Sequence, residues 1–149
     1  ALSLSELVDD VAELYEPLAE ERHQSLSAET SQPISIHADR DMLFQALANL
    51  LDNAVKYTPK GGDIRLSLSS QEGFVHIRVC DSGPGVALQE REKVFHRFYR
   101  TDASRSTPGN GLGLSLVKAV VRLHDGKVAL RDNHPGLCVE LSLPCASGR

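Results

Sequence analysis

Apolar residues along this chain change their spacing several times, from the period of an amphipathic helix to the alternation of a half-buried strand. Helical spacing predicts helices at residues 5–22, between Asp39 and Thr58, and at residues 112–123, with a kink or an interruption of the first near Pro17. Alternation predicts two short edge strands before the second helix and two hairpins, around residues 64–79 and 128–143. Helices interleaved with antiparallel hairpins predict an α+β fold, one mixed sheet covered on one face by helices.

The length and net charge of the chain limit the classes of protein to which it can belong. A chain of 149 residues, 41% of them apolar, can form one core and hardly two, so we predict a single domain over residues 1–149. A net charge of −4 argues against a general nucleic-acid binder. The sequence shows no apolar run long enough to span a membrane and no export signal, and because it begins with Ala1 we expect a piece of a longer protein.

The cysteine content predicts reduced thiols. Cys80, Cys138 and Cys145 are an odd number without metal-ligand spacing, so neither a disulfide framework nor a zinc site is expected. A reducing compartment is the simpler interpretation.

A polar stripe runs along the second predicted helix, where Gln45, Asn49, Asn53 and Lys56 follow one another at spacings of four, four and three. An amide oxygen can coordinate a hard cation, so Asn53 is a candidate Mg²⁺ ligand and Lys56 a candidate phosphate partner. An ordinary solvated helix face is the alternative.

A carboxylate continues the core-facing row of a predicted strand. Asp81 has the same parity as Val79, and the chain then breaks into Ser82-Gly83-Pro84-Gly85, where glycines permit close approach of a ligand. The alternative is a strand-ending turn in which the side chain bonds to local amides.

A third signal is the run Gly109-Asn110-Gly111-Leu112-Gly113, which leads directly into the last predicted helix. Backbone N–H groups at a helix start form an anion site. The run matches neither the Walker A motif nor the dinucleotide-binding spacing. Before it we predict a short helix at residues 90–99 and a mobile loop at residues 101–110.

Four sequence segments that occur in this order identify a protein family far more specifically than any one of them alone. NLLDNAVKYTP (49–59), DSGPGV (81–86), VFHRFYR (94–100) and GNGLGLSLVK (109–118) resemble the N, G1, F and G2 boxes of the ATP-binding catalytic domain of sensor histidine kinases. The resemblance implies a two-layer α/β sandwich of the Bergerat type, with a mostly antiparallel sheet and about three helices. It further implies a junction helix at residues 1–22 and an ATP lid at residues 97–110.

The resemblance also implies ligand roles. Asn53 would ligate a Mg²⁺ ion that bridges the ATP phosphates, Asn49 would support that site, and Lys56 would contact phosphate oxygens. Tyr57 would lie against the adenine ring. Asp81 would accept a hydrogen bond from the adenine amino group, where guanine carries an oxygen instead.

The remaining implied site residues come from the loops. Backbone at the glycine-rich segments would fold around the nucleotide, at Gly83, Gly85, Gly109, Gly111, Leu112 and Gly113. Arg100 and Arg105 would reach the γ-phosphate, which needs charge neutralisation and in-line positioning.

The implied activity is transfer of the ATP γ-phosphate to a histidine on a separate dimerisation domain, followed by signalling to a response regulator. Hydrolytic relatives such as gyrase carry a glutamate at the position of Asn49, so we expect slow hydrolysis here. None of the six histidines, His23, His37, His76, His96, His124 and His134, has the sequence neighbours of a phosphoacceptor. We therefore expect a monomeric cytoplasmic fragment of a membrane-bound homodimeric parent, unable to phosphorylate itself.

Two other functions stay open on sequence alone. One is a regulatory module that binds nucleotide without catalysis. The other is a serine kinase of the anti-sigma type on the same fold, which is disfavoured because such proteins generally lack the F box that residues 94–100 match.

Overall fold

The computed structural model describes residues 2–30, 33–83, 113–133 and 136–145. Three helices and seven strands are described, in the order β1 (Leu2–Ser3), α1 (Leu4–Glu21), β2 (Ser25–Thr30), β3 (Ser35–Ile36), α2 (Arg40–Tyr57), β4 (Asp63–Gln71), β5 (Phe74–Asp81), α3 (Gly113–Leu123), β6 (Lys127–Asp132) and β7 (Leu137–Pro144). The predicted short helix at 90–99 and loop at 101–110 lie outside the described residues. Of the helices described, none is both long and apolar enough to cross a lipid bilayer.

Five strands form the main sheet, in the order β2-β4-β5-β7-β6. β2 pairs parallel with β4, and the other three pairings are antiparallel. β1 and β3 form a separate antiparallel pair. Inward-facing residues of the main sheet share one core with the buried faces of the helices. The predicted two-layer α/β sandwich with a mixed, mostly antiparallel sheet is therefore confirmed.

The first helix begins as predicted but is not interrupted. Ser3 is its N-cap, and the Ser3 hydroxyl accepts a hydrogen bond from the Glu6 backbone N–H at 3.3 Å. The helix then continues through Pro17 to Glu21, so of the two predicted alternatives, a kink or an interruption, the interruption does not occur. Pro17 and Glu13, whose carbonyl loses its helical partner there, are both exposed, and water can satisfy the carbonyl.

The second helix lies across the sheet with its apolar stripe fully covered. Asp39 caps its N-terminus, accepting from the Met42 N–H at 3.0 Å, and Thr58 ends it as predicted. Four leucines of this stripe are at most 3% exposed, namely Leu43, Leu47, Leu50 and Leu51. Burying each stabilises the fold by about 1.5–3 kcal/mol, which fixes the direction in which the opposite, polar stripe points.

Two of the three cysteines form a disulfide, so the prediction of reduced thiols was wrong for Cys80 and Cys138. The register between β5 and β7 sets these residues opposite each other, with their Cα atoms 4.0 Å apart. They are 58 positions apart in the sequence, and only the strand pairing brings them together. A cross-link over such a loop restricts the unfolded chain by about 4 kcal/mol at 25 °C.

The sheet face opposite the helices carries a buried carboxylate. Glu140 of β7 is only 6% exposed, and it accepts hydrogen bonds from Arg78 at 2.6 Å and from Arg131 at 3.1 Å. Burial alone would raise the pKa of Glu140, but the hydrogen bonds and positive charges of the two arginines outweigh burial and lower it. The ion triplet thus ties β5, β7 and β6 together.

We expect Glu140→Gln to lower the free energy of unfolding by about 1–3 kcal/mol at pH 7, since hydrogen bonds to a charged acceptor are lost. A lowered carboxyl pKa stabilises the folded state above the unfolded pKa, and this gain is lost as the pH falls through the folded value. The deficit should therefore shrink below about pH 4. Urea unfolding over a pH series measures it. Glu29→Gln, at an exposed glutamate of β2, is the control, and a pH-independent deficit would contradict the assignment.

Candidate functional site

The polar stripe of α2 is arranged as predicted. Asn49, Asn53 and Lys56 are partly exposed on the helix whose leucines are buried. The Lys56 ammonium pairs with the Asp52 carboxylate at 3.0 Å, and the two side chains are 32% and 45% exposed. An ion pair of this exposure on a helix stabilises the fold by only about 0.3–0.5 kcal/mol. The Lys56 ammonium can therefore leave Asp52 and bind an anionic ligand with little loss of stability.

Asp81 ends β5 with its side chain partly buried. Its Oδ1 atom accepts hydrogen bonds from the backbone N–H groups of Gly83, at 2.9 Å, and Leu137, at 3.3 Å. Burial raises the pKa of Asp81, although these two hydrogen bonds act in the opposite direction. The hydrogen bond from the Gly83 N–H is the one expected of a strand-ending turn, so that alternative is part of the picture. Burial also leaves the charged form of the Asp81 carboxylate poorly solvated.

The segment after Asp81 packs against the end of α2. A β-carbon at Gly83 would lie 2.6 Å from the Tyr57 carbonyl oxygen, so only glycine permits this approach. Ser82 is fixed by two hydrogen bonds to Asp63, from the Asp63 N–H to the Ser82 hydroxyl at 2.8 Å and from the Ser82 N–H to the Asp63 carbonyl at 3.1 Å. The structure thereby brings the predicted residues Tyr57, Asp81 and Gly83 to one place.

Sequence reasoning missed the side chains that hold the last turn of α2. The Gln24 amide donates to the carbonyls of Val55, at 2.9 Å, and Thr58, at 2.7 Å, and Arg22 donates to the Lys56 carbonyl at 3.2 Å. Carbonyls at a helix C-terminus lack hydrogen-bond partners within the helix, and the side chains of Gln24 and Arg22 provide donors for these carbonyls. Gln24 lies in an unremarkable polar stretch more than thirty positions away, so no local signal points to it.

Sequence reasoning also missed the turn that holds Asp81 from the other side. The Asn133 side-chain amide donates to the Asp81 carbonyl at 2.7 Å. Gly136, at φ 112°, lies so close to that carbonyl that any side chain there would collide with it. The pattern Asn-His-Pro-Gly (133–136) predicts a turn, but nothing in the sequence shows that the turn meets Asp81.

The other predicted site residues are less completely defined. Gly113 is the first residue of α3. The remaining predictions lie outside the described residues, namely Gly85, Arg100, Arg105, Gly109, Gly111, Leu112, the segment 94–100 and the lid at 97–110. Within the described part of the chain, no group of three or more His, Cys, Asp or Glu side chains could hold a metal ion. A cation here would depend on amide oxygens and on oxygens of its own ligand.

A family comparison agrees with this geometry. The family described as "Histidine kinase-, DNA gyrase B-, and HSP90-like ATPase" matches residues 38–147, and the chain belongs to that family.

Two relatives are sensor kinases. The adaptive-response sensory kinase SasA of Crocosphaera subtropica is 35% identical over 147 residues, covering 95% of this chain and 38% of the relative. The signal transduction histidine-protein kinase/phosphatase MprB of Mycolicibacterium paratuberculosis is 43% identical over 105 residues, covering 70% of this chain and 20% of the relative. The chain therefore spans well under half the length of these kinases.

Solved structures confirm the histidine kinase catalytic fold. The catalytic domain of histidine kinase ThkA superposes with a TM-score of 0.86 at 28% identity, over 96% of this chain and 95% of that one. Full-length ShkA in complex with AMPPNP gives 0.87 at 34% identity, over 97% of this chain and 30% of that one. ThkA in complex with the response regulator TrrA gives 0.84 at 26% identity, over 99% of this chain and 42% of that one.

We expect Gln24→Ala to lower the free energy of unfolding by about 2 kcal/mol or more, because two carbonyls of a buried helix end lose their donor. Gln24→Glu keeps the size of the side chain but loses the donor, and should be at least as damaging. Urea unfolding measures both variants. Gln71→Ala, at an exposed glutamine of β4, should change stability by no more than about 0.5 kcal/mol. Equal stability of the Gln24 and Gln71 variants would contradict the role of the Gln24 clamp, by which we mean its two hydrogen bonds to the Val55 and Thr58 carbonyls.

Proposed function

We propose that ATP binds where the end of β5 meets the end of α2, and that its γ-phosphate is transferred to a histidine on a separate dimerisation domain. The observation that carries this proposal is the close approach of Gly83 to the Tyr57 carbonyl. It sets a partly buried carboxylate beside the helix that bears the amide and lysine stripe. A purine and its phosphates need recognition groups of these two kinds.

Asp81 and Tyr57 are the proposed purine contacts. The carboxylate of Asp81 accepts from the exocyclic amino group, which guanine lacks at that position, so the site selects adenine. Tyr57 lies against the ring. Gly83 keeps the backbone close enough for both contacts.

The phosphates are proposed to lie along α2. Lys56 leaves its weak pair with Asp52 for a phosphate oxygen, and Asn49 supports the metal site. Arg100 and Arg105 approach the γ-phosphate. Gly85, Gly109, Gly111, Leu112 and Gly113 complete the backbone around the nucleotide.

The donor chemistry of α2 fits Mg²⁺. This ion takes oxygen ligands in octahedral geometry, keeps several waters and is commonly shared between protein and substrate phosphates. Asn53 is partly exposed, and its amide oxygen is of the kind that suits one position of such a shell. When bound, Mg²⁺ would supply positive charge that offsets the negative charge of the phosphates. The protein's part is to orient that oxygen from a rigid helix.

The proposed reaction is in-line displacement at the γ-phosphorus. A ring nitrogen of the acceptor histidine forms the new P–N bond, the bond between the γ-phosphorus and the β,γ-bridging oxygen breaks, and ADP leaves. Water is a poor competitor, because Asn49 carries an amide and cannot take a proton from it. Hydrolysis by this chain should therefore be slow.

The acceptor is proposed to lie on the dimerisation domain of the same kinase. Two of the described histidines are already engaged, His124 by the Asp39 N–H at 3.0 Å and His76 by the Ser142 hydroxyl at 3.0 Å. Residues 1–22 would lead toward that domain. The structure of ThkA with TrrA supports a response regulator as the downstream partner. We propose a membrane-bound homodimeric parent with this domain in the cytoplasm, and no nucleic-acid partner.

We expect Asp81→Asn to weaken ATP binding with and without Mg²⁺, by roughly tenfold or more, as a charge-assisted hydrogen bond is lost. Asn53→Ala should weaken binding chiefly when Mg²⁺ is present. Titration calorimetry with both metal conditions measures the four affinities. Asp63→Asn and Gln45→Ala, at exposed positions of β4 and α2, serve as matched controls. An Asp81→Asn variant with unchanged affinity would contradict the purine assignment.

We expect the chain alone to bind ATP, hydrolyse it slowly and incorporate no phosphate from γ-labelled ATP. Adding a histidine-bearing dimerisation domain of a matched kinase should produce labelling of that domain, and Asp81→Asn should reduce it. Labelling of the chain itself would show that the acceptor lies within these residues. Brisk ATP turnover without the second domain would contradict the inferred role of Asn49.

A further inference from the structure

The disulfide lies directly beside the proposed purine contact. Cys80 precedes Asp81 in β5, and Cys138 follows Leu137 in β7. Leu137 is the residue whose N–H donates to the Asp81 carboxylate at 3.3 Å. The covalent bond therefore joins the same two strand ends that this hydrogen bond joins.

Asn133 connects the sulfur pair to Asp81 by a second route. Its side-chain amide nitrogen donates to the Asp81 carbonyl at 2.7 Å. Its amide oxygen lies 3.5 Å from the Cys138 sulfur. In the dithiol form, the Cys138 S–H can donate a hydrogen bond to this oxygen, so the contact between Asn133 and the sulfur depends on whether the disulfide is intact.

The disulfide lies on an open sheet face that carries charges of both signs: Arg78 and Arg131 pair with Glu140, and Glu29 lines the same groove as Arg65. The strand register forms one row across the outer face of the sheet, in the order Arg65, Cys80, Cys138, Arg131. A groove of about 740 Å³ reaches Cys80 and is flanked by Arg65 and Arg78. Arg65 lies opposite Cys80 in the strand register, and a cation beside a sulfur attracts an anionic thiol and stabilises the negative charge of the departing sulfur.

We propose that Cys80 and Cys138 form a thiol–disulfide exchange site for anionic low-molecular-weight thiols, and that its redox state sets nucleotide affinity at Asp81. The proposal rests on the proposed function for its readout. Its chemistry rests on the observed sulfur pair and its row of arginines.

The exchange is a two-electron reaction. A thiolate of the incoming thiol attacks one protein sulfur, the S–S bond breaks, and the departing cysteine sulfur takes up a proton. A second thiolate then attacks the mixed disulfide and releases the other cysteine. In total, two thiols become one small-molecule disulfide, and the protein gains two thiol groups. Oxidation by a small-molecule disulfide is the reverse reaction.

Reduction should weaken nucleotide binding. With the bond intact, the ends of β5 and β7 are held in the register that lets Leu137 donate to Asp81. With the bond broken, that register depends on hydrogen bonds alone, and the carboxylate has more freedom to leave the geometry the purine needs. We expect roughly five- to tenfold weaker binding in the reduced chain, a typical range for coupling between sites.

The first test counts thiols. Alkylation of the air-oxidised, unfolded chain followed by mass spectrometry should modify only Cys145, and prior treatment with glutathione should raise the count to three, adding Cys80 and Cys138. Three modified cysteines before reduction, or no increase after it, would overturn the proposal.

The second test measures the dissociation constant for AMPPNP in the oxidised and reduced chain. The Cys145→Ser variant should keep the redox dependence. The double variant Cys80→Ser/Cys138→Ser, and the corresponding double alanine variant, should lose it and bind like the reduced chain. Equal affinity of the oxidised and reduced wild-type chain would overturn the coupling to Asp81.

The third test concerns the arginine row. Arg65→Gln should slow reduction by anionic glutathione roughly three- to tenfold at low salt and leave reduction by neutral dithiothreitol nearly unchanged. Arg122→Gln, at an exposed position of α3, is the matched control. Equal slowing with both reductants would overturn the preference for an anionic thiol.

The outcomes separate the two proposals. If neither redox form binds AMPPNP, the proposed nucleotide function fails. If both forms bind equally and Asp81→Asn still weakens binding, the nucleotide function holds and the redox inference fails.

Discussion

The close approach of Gly83 to the Tyr57 carbonyl is the contact on which the candidate site depends. It places the end of a central strand against the end of the helix with the best-covered apolar stripe, so neither can shift without the other. Other contacts fix each side of this approach. The buried leucines of α2 and the hydrogen bonds from Gln24 to its last carbonyls fix the helix. The hydrogen bonds between Ser82 and Asp63 fix the segment after β5. Any substitution at Gly83 would have to displace backbone, which is far costlier than moving a side chain.

The rigid surroundings of Asp81 keep its carboxylate oriented although it is partly buried. Burial raises its pKa, so its ionised form is less well solvated than an ordinary carboxylate. The described hydrogen bonds from Gly83 and Leu137 both reach the same oxygen, Oδ1. A donor supplied by a ligand therefore finds a carboxylate that is already oriented and only partly compensated. In the proposed nucleotide site, such preorganisation would let a single hydrogen bond discriminate between bases.

Sequence reasoning predicted most of the fold and part of the site, and the boundary between success and failure is physical. Local signals, such as the helical leucines of α2 and the alternation before Asp81, depend on neighbours in the chain, and the structure confirms them. The disulfide and the Gln24 clamp depend on strand register and on packing between distant segments, which periodicity does not encode. Pro17 does not interrupt α1 for a related reason: the carbonyl that its missing N–H leaves without a helical partner lies in an exposed turn, and periodicity alone does not show that exposure.

β7 links features that look separate along the chain. Within eight residues it supplies the Leu137 N–H to Asp81, the Cys138 sulfur to the disulfide, and the Glu140 carboxylate that two arginines hold. Because β7 lies between β5 and β6, a change in any of these contacts acts on the strand that ends at Asp81. The outer face is therefore mechanically connected to the site, although its charges point away from the helices. The ion triplet and the disulfide both join β7 to β5, in the register that brings the Leu137 N–H to the carboxylate of Asp81.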